Sequence, residues 1–177
     1  MKSTPYRVRA TQSRGFTLVE VLVALLVMSI GLLGVGKLVL FSARSNDSAY
    51  LRSQATELAY SILEDMRANR QTALNAGYNV AAANTVANPG VQCNQGSACT
   101  TGTQLAQYDL YQWATRLQAL GPSGNDSVTT NAVTDPTSGT INYTATITVS
   151  WDDTVARQTF DGAAAAGTVS VVLETIL

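Results

Sequence analysis

The sequence predicts an α+β chain: a long N-terminal helix, apolar in its first half and amphipathic in its second, packed on an antiparallel sheet of three or four strands. Three observations predict it. Residues Val21 to Gly36 carry no charge, inside an apolar run that reaches Phe41. No proline occurs between Arg7 and Ala87, and beyond the apolar run Leu51, Ala55, Leu58, Ile62 and Met66 recur at helical steps. From Thr140 to Trp151 the period changes to two.

Charge and composition bound the function. The chain has 177 residues, enough for one modest domain beyond the apolar run. Lys2, Arg7, Arg9 and Arg14 precede Phe16 with no acidic residue among them, and removing those four leaves seven basic residues against twelve acidic ones. So acidic a body is a poor partner for a phosphate backbone, and no nucleic acid is expected. The absence of histidine removes the commonest acid–base group and metal ligand.

The first element is the basic stretch Met1 to Gly15, which the positive-inside rule keeps in the cytoplasm. A secretory signal would end in a small-residue cleavage site after its apolar core, and no A-x-A pattern follows here. Read alone, the run from Phe16 to Phe41 is a signal-anchor helix with one odd feature, Glu20 near its start. A carboxylate deep in hydrocarbon costs about 2.5–3.5 kcal/mol on insertion scales.

The junction Arg14-Gly15-Phe16-Thr17-Leu18-Val19-Glu20, in register with the apolar run, closely resembles the leader junction of type IV prepilins and type II secretion pseudopilins. The resemblance implies a pilin-like lollipop, a helix carrying a globular head. It also implies that prepilin peptidase cuts between Gly15 and Phe16 and methylates the amino group of Phe16. Gly15, without a side chain, suits a protease that binds extended backbone at the membrane face. Cleavage creates an amine about one helical turn from Glu20. Two readings of Glu20 follow: neutralisation within one helix, or, as the family implies, contact with the N-terminus of a neighbouring subunit during assembly. We favour the second.

The stripe Leu51 to Met66, widened by Ala59 and Leu63, makes residues 42–70 the amphipathic half of the same helix and its stripe a core face. A helix from Phe16 to about Arg70 would be about 80 Å long at 1.5 Å per residue. Gly31, Gly34 and Gly36 interrupt the apolar half. They read either as close packing against other helices or, by the resemblance, as a zone that unwinds on assembly.

Residues 71–177 form the head. Asn75 to Gly102 is loop material holding Cys93 and Cys99. That pair reads as a redox couple, half a metal site or a disulfide. The spacing is not C-x-x-C, zinc would lack two ligands, and in an exported domain a disulfide is the simplest answer. Ala106, Leu110, Trp113, Leu117 and Leu120 mark a short helix starting between Thr103 and Asp109, with Asp109 a candidate cap and Gly121-Pro122 its stop. Trp113 reads as a core residue. Ser123 to Ser138 is a polar loop with a weak strand at Ser127 to Val133. In the strand Thr140 to Trp151, Ile141, Tyr143, Ala145, Ile147, Val149 and Trp151 share one face. Asp152-Asp153 turns the chain, Val155 to Phe160 is a second strand and Thr168 to Ile176 a third, giving a meander.

No catalytic set is visible. A Ser-His or Cys-His arrangement is impossible, no phosphate-binding glycine pattern occurs, and adjacent Asp152 and Asp153 read as solvated turn residues. No enzyme activity and no cofactor are expected. The stretch ILEDMRANR, the cysteine pair, the Trp113 helix and YTATITVSWDD look like minor pilins of the PilV type. That resemblance implies a non-catalytic subunit of a priming or tip complex. Its partners would be prepilin peptidase, other minor pilins, the major pilin, the inner-membrane assembly platform and, before assembly, membrane lipid. It would sit first in the inner membrane, leader in the cytoplasm and head in the periplasm, then in the pilus. The alternatives are a minor pseudopilin of a type II secretion system and an adhesive tip module carried by the loops.

Overall fold

The computed structural model describes residues 15–93, 99–121, 126–153 and 167–177. They form three α-helices and three strands: α1 (Leu18–Ala68), α2 (Arg70–Leu74), α3 (Gly102–Leu117), β1 (Ser127–Thr134), β2 (Ile141–Asp152) and β3 (Thr168–Ile176). The chain divides into two compact units, Met1–Leu40 and Phe41–Leu177, and α1 is continuous through the boundary.

In the first unit α1 is apolar on nearly every side, and none of its apolar run is buried among the described residues. It is the one helix among the described residues long and apolar enough to cross a membrane. Among the described residues, a Cβ added at Gly31, Gly34 or Gly36 would meet nothing within 4 Å.

In the second unit the helical stripe is the core face. Ala55, Ala59, Ile62, Leu63 and Met66 are buried, with Leu51 and Leu58 partly buried beside them. The helix ends close to the expected Arg70. Asn69 leaves helical geometry (φ −113°, ψ 46°), and its Nδ2 donates to the Gly102 carbonyl at 2.6 Å. The start of α3 is thereby tied to the end of α1. The approach is so close that a Cβ at Gly102 would overlap Asn69 and Thr72, which is why glycine stands there.

Helix α3 starts earlier than the spacing predicted. Thr101, not Asp109, is its cap: Thr101 Oγ1 accepts the Gln104 N–H at 3.2 Å, and Gln104 Oε1 accepts the Thr100 N–H at 3.0 Å. Threonine followed three residues later by glutamine is a capping-box pattern, and it outcompetes an aspartate within the helix. The inward residues are as expected: Ala106, Leu110, Trp113, Leu117 and, just beyond, Leu120 are buried. Trp113 Nε1 donates to the Leu58 carbonyl at 3.1 Å, fastening α3 to α1.

The sheet is antiparallel with order β1-β2-β3. On β2 the alternation places Ala145, Ile147, Val149 and Trp151 in the core. Val169 is buried on β3, with Val171 and Leu173 partly so. The expected weak strand is a full one, Ser127–Thr134. It leads into β2 through a turn in which Asp135 Oδ1 accepts the N–H groups of Thr137 (2.7 Å) and Ser138 (3.3 Å), and Gly139 takes a positive φ of 69°. The expected strand order is corrected in one respect: β2 and β3 pair directly, Asp152 opposite Thr168, whereas the expected strand at Val155 to Phe160 lies outside the described residues.

Two further corrections concern polar residues. Asp153 is not a solvated turn carboxylate but is buried, and its Oδ2 accepts the Ser48 hydroxyl at 2.9 Å. The stretch Asn75 to Gly102 is not wholly loop: Val80 bridges Val128, and Ala83–Thr85 forms a 3-10 turn. Its Tyr78 is fully buried in the core. Cys93 and Cys99 are joined as a disulfide, their Cα atoms 5.2 Å apart. On the chain-entropy account closing so small a loop adds about 2 kcal/mol.

Candidate processing and assembly site

The expected site residues Gly15, Phe16 and Glu20 lie together at the start of α1. Gly15, Phe16 and Thr17 are non-helical and Leu18 is the first helical residue. Thr17 sets that boundary. Its carbonyl accepts the Val21 N–H at 3.3 Å, and its Oγ1 accepts the Glu20 N–H at 3.3 Å. This is N-cap geometry, with Glu20 at the third helical position. The signal was present in the sequence as Thr17-x-x-Glu20 before an apolar run, and it is the site feature that pattern reading overlooked.

Phe16 is 83% exposed. With Glu20, Val21, Ala24, Leu25 and Met28 it borders a shallow apolar groove along one side of the helix. Phe16, Glu20, Ala24 and Met28 follow one another at steps of four and form one ridge. Glu20 therefore sits in the first turn, where the partial positive charge of the helix start favours a carboxylate. What the groove can do chemically is limited to contact. It offers an apolar strip with one anionic group at its head.

A second convergence of ionisable groups lies in the head, where α1, α3 and the Tyr78 stretch meet. The Tyr78 hydroxyl donates to Asp109 Oδ2 at 2.6 Å and also lies 3.3 Å from the Asp65 carbonyl oxygen, while Asn69 Nδ2 donates to it at 3.3 Å. Burial, and then the bond to Asp109, push the Tyr78 hydroxyl well above its ordinary value. Burial raises the Asp109 carboxyl, against the opposing pull of the Tyr78 bond and Arg116. Burial and the neighbouring Asp109 charge raise Asp65. The arrangement is a three-way joint between α1, α3 and the Tyr78 stretch.

The sign of its pH dependence follows. The folded state holds the Tyr78 proton more tightly than the unfolded chain does, so stability falls as pH rises above the ordinary tyrosine value of about 10. The raised carboxyls act with the same sign at lower pH: their ionised forms oppose folding near neutrality, and acid relieves this. Tyr78→Phe is expected to cost about 1.5–3 kcal/mol at pH 7, the range for a hydrogen bond to a charged group. It is also expected to remove most of the alkaline loss. Denaturant unfolding of the full chain in detergent at pH 7 and pH 11 measures both.

Comparison with known families places these features. Residues 11–36 match the prokaryotic N-terminal methylation motif, which spans the Gly15–Phe16 junction and the Thr17–Glu20 turn. Residues 39–111 match the Tt1218-like family, described as type IV pilin Tt1218. No curated protein and no solved structure matches the chain. The two family matches follow one another along α1, and the second continues through the Tyr78 stretch into α3. From residue 11 to residue 111 the chain is therefore similar to type IV pilins, with an N-terminal methylation motif at the head of its long helix and the features of a pilin or pseudopilin subunit.

Proposed function

We propose that the chain is a minor type IV pilin of the PilV type, a non-catalytic subunit that joins other minor pilins in a priming or tip complex. Prepilin peptidase removes residues 1–15, cutting between Gly15 and Phe16, and methylates Phe16. Residues 16–41 then serve first as an inner-membrane tether and later as filament core, residues 42–70 as the spine of the head, and residues 71–177 as the periplasmic head. The four basic residues of the leader favour its cytoplasmic retention.

The observation that carries this reading is the coincidence at one point of the methylation motif, the Gly15–Phe16 bond and the start of an apolar helix whose apolar run is exposed among the described residues. Support for a minor rather than a major subunit is that the disulfide lies mid-chain, between α2 and α3, and that no proline interrupts the apolar helix. The experiment is to shear pili from producing cells and identify the chain by mass spectrometry. It is expected in the pilus fraction, in much smaller amount than the major pilin. Recovery with type II secretion components, and absence from pili, would replace this reading with a minor pseudopilin.

A further inference from the structure

We propose that Thr17 is a positioning residue for leader removal: by ending α1 at its own side chain it holds the Gly15–Phe16 bond outside the helix, in backbone that a peptidase can bind extended. This rests on the processing role proposed above. The step is a hydrolysis. Water adds to the Gly15 carbonyl carbon, the bond to the Phe16 nitrogen breaks, Gly15 leaves as a carboxylate, and Phe16 takes the proton on its new amine.

Three observations carry the inference. The scissile bond lies just before the helix, whose first residue is Leu18. It is open to approach, since Phe16 is largely exposed and a Cβ on Gly15 would meet nothing within 4 Å. And the boundary is made by one side chain: Thr17 Oγ1 takes the Glu20 N–H, one of the donors any helix start leaves over. Nothing else in this stretch stops a helix firmly. No proline stands there, and only Gly15 disfavours extension, by about 1 kcal/mol. With alanine at position 17 the hydroxyl is lost and the best helix former takes its place. The helix can then run on through Phe16 and Gly15, and the fraction of chains presenting an extended bond falls. A substrate competent only part of the time binds more weakly by that fraction, so the loss falls on KM.

The contact uses the backbone N–H of Glu20 and not its carboxylate, which separates the two residues. Thr17 acts at cleavage, Glu20 at assembly.

The test uses the full-length precursor in lipid vesicles with prepilin peptidase, reading the appearance of the Phe16 terminus for the wild type, Thr17→Ala and Thr17→Ser. Thr17→Ala is expected to lower kcat/KM about five-fold, equivalent to about 1 kcal/mol, through KM with kcat held within about two-fold. Thr17→Ser, which keeps the acceptor, should stay within about two-fold of the wild type. Cleavage of Thr17→Ala at the wild-type rate overturns the inference. So does Thr17→Ser as slow as Thr17→Ala, or a loss confined to kcat. Failure of the wild-type precursor itself to be cut between Gly15 and Phe16 is a different result, and removes the processing reading beneath it.

Discussion

Glu20→Ala is expected to leave cleavage after Gly15 normal and to lower incorporation into filaments at least about ten-fold. The energetics run in opposite directions at the two stages. In the membrane the carboxylate costs about 2.5–3.5 kcal/mol, so its removal makes the tether more comfortable in lipid. In a filament, an amine buried among apolar helices loses its counter-charge, and stripping one partner from a buried pair costs about 3–5 kcal/mol. About 1.4 kcal/mol already amounts to ten-fold. Alanine also keeps the backbone N–H that Thr17 Oγ1 accepts, so the helix start is retained. The readout is the ratio of chain in sheared filaments to chain in the membrane fraction, with the N-terminus of both checked. If neutralisation stays inside one subunit, the mutant enters filaments like the wild type, and the intersubunit role is lost.

Trp113→Ala is expected to destabilise the head by about 3–5 kcal/mol, the range for truncating a large buried aromatic. Trp113 is fully buried and its indole N–H fastens α3 to the Leu58 carbonyl of α1. The substitution therefore opens a cavity and removes the bond across the helix pair. Set against a typical domain stability of about 5–15 kcal/mol, this is a large share. Thermal unfolding of the full chain in detergent should show a fall in Tm of about 10 °C or more. Tyr60→Ala is the control. Tyr60 lies on the outer face of α1, 51% exposed, and its loss should change stability by less than about 0.5 kcal/mol. Equal effects from the two substitutions would contradict the assignment of the core face.

What could be read in advance was what has a period. The stripe from Leu51 to Met66, the four-three-four-three steps from Ala106 to Leu120 and the alternation from Ile141 to Trp151 each mark a face, and each face is buried or partly so in the head except at Ile141, which is exposed at the start of β2. Features without a period were missed. Tyr78 stands alone among alanine, asparagine and glycine, and nothing local shows that it will close the joint between α1 and α3 through Asp109. Asp126 is similar: its carboxylate accepts the Ser150 N–H at 2.7 Å inside the sheet, a contact fixed by strand register across 24 residues. Caps fell between these cases. Thr17-x-x-Glu20 and Thr101-x-x-Gln104 are both legible as capping boxes, but nearby acidic residues, Glu20 and Asp109, offer competing features in the same stretches. At the assembly site the chain alone supplies the anion and the apolar strip. On the proposed reading, the partner for Glu20 is a terminus that exists only after cleavage.

That makes the mature N-terminus the most direct test. The chain is produced in cells with and without prepilin peptidase, and the N-terminus of the membrane-bound form is read by mass spectrometry. The prediction is N-methylated Phe16 with the peptidase and intact Met1 without it. Intact Met1 in both would contradict the pilin account at its root.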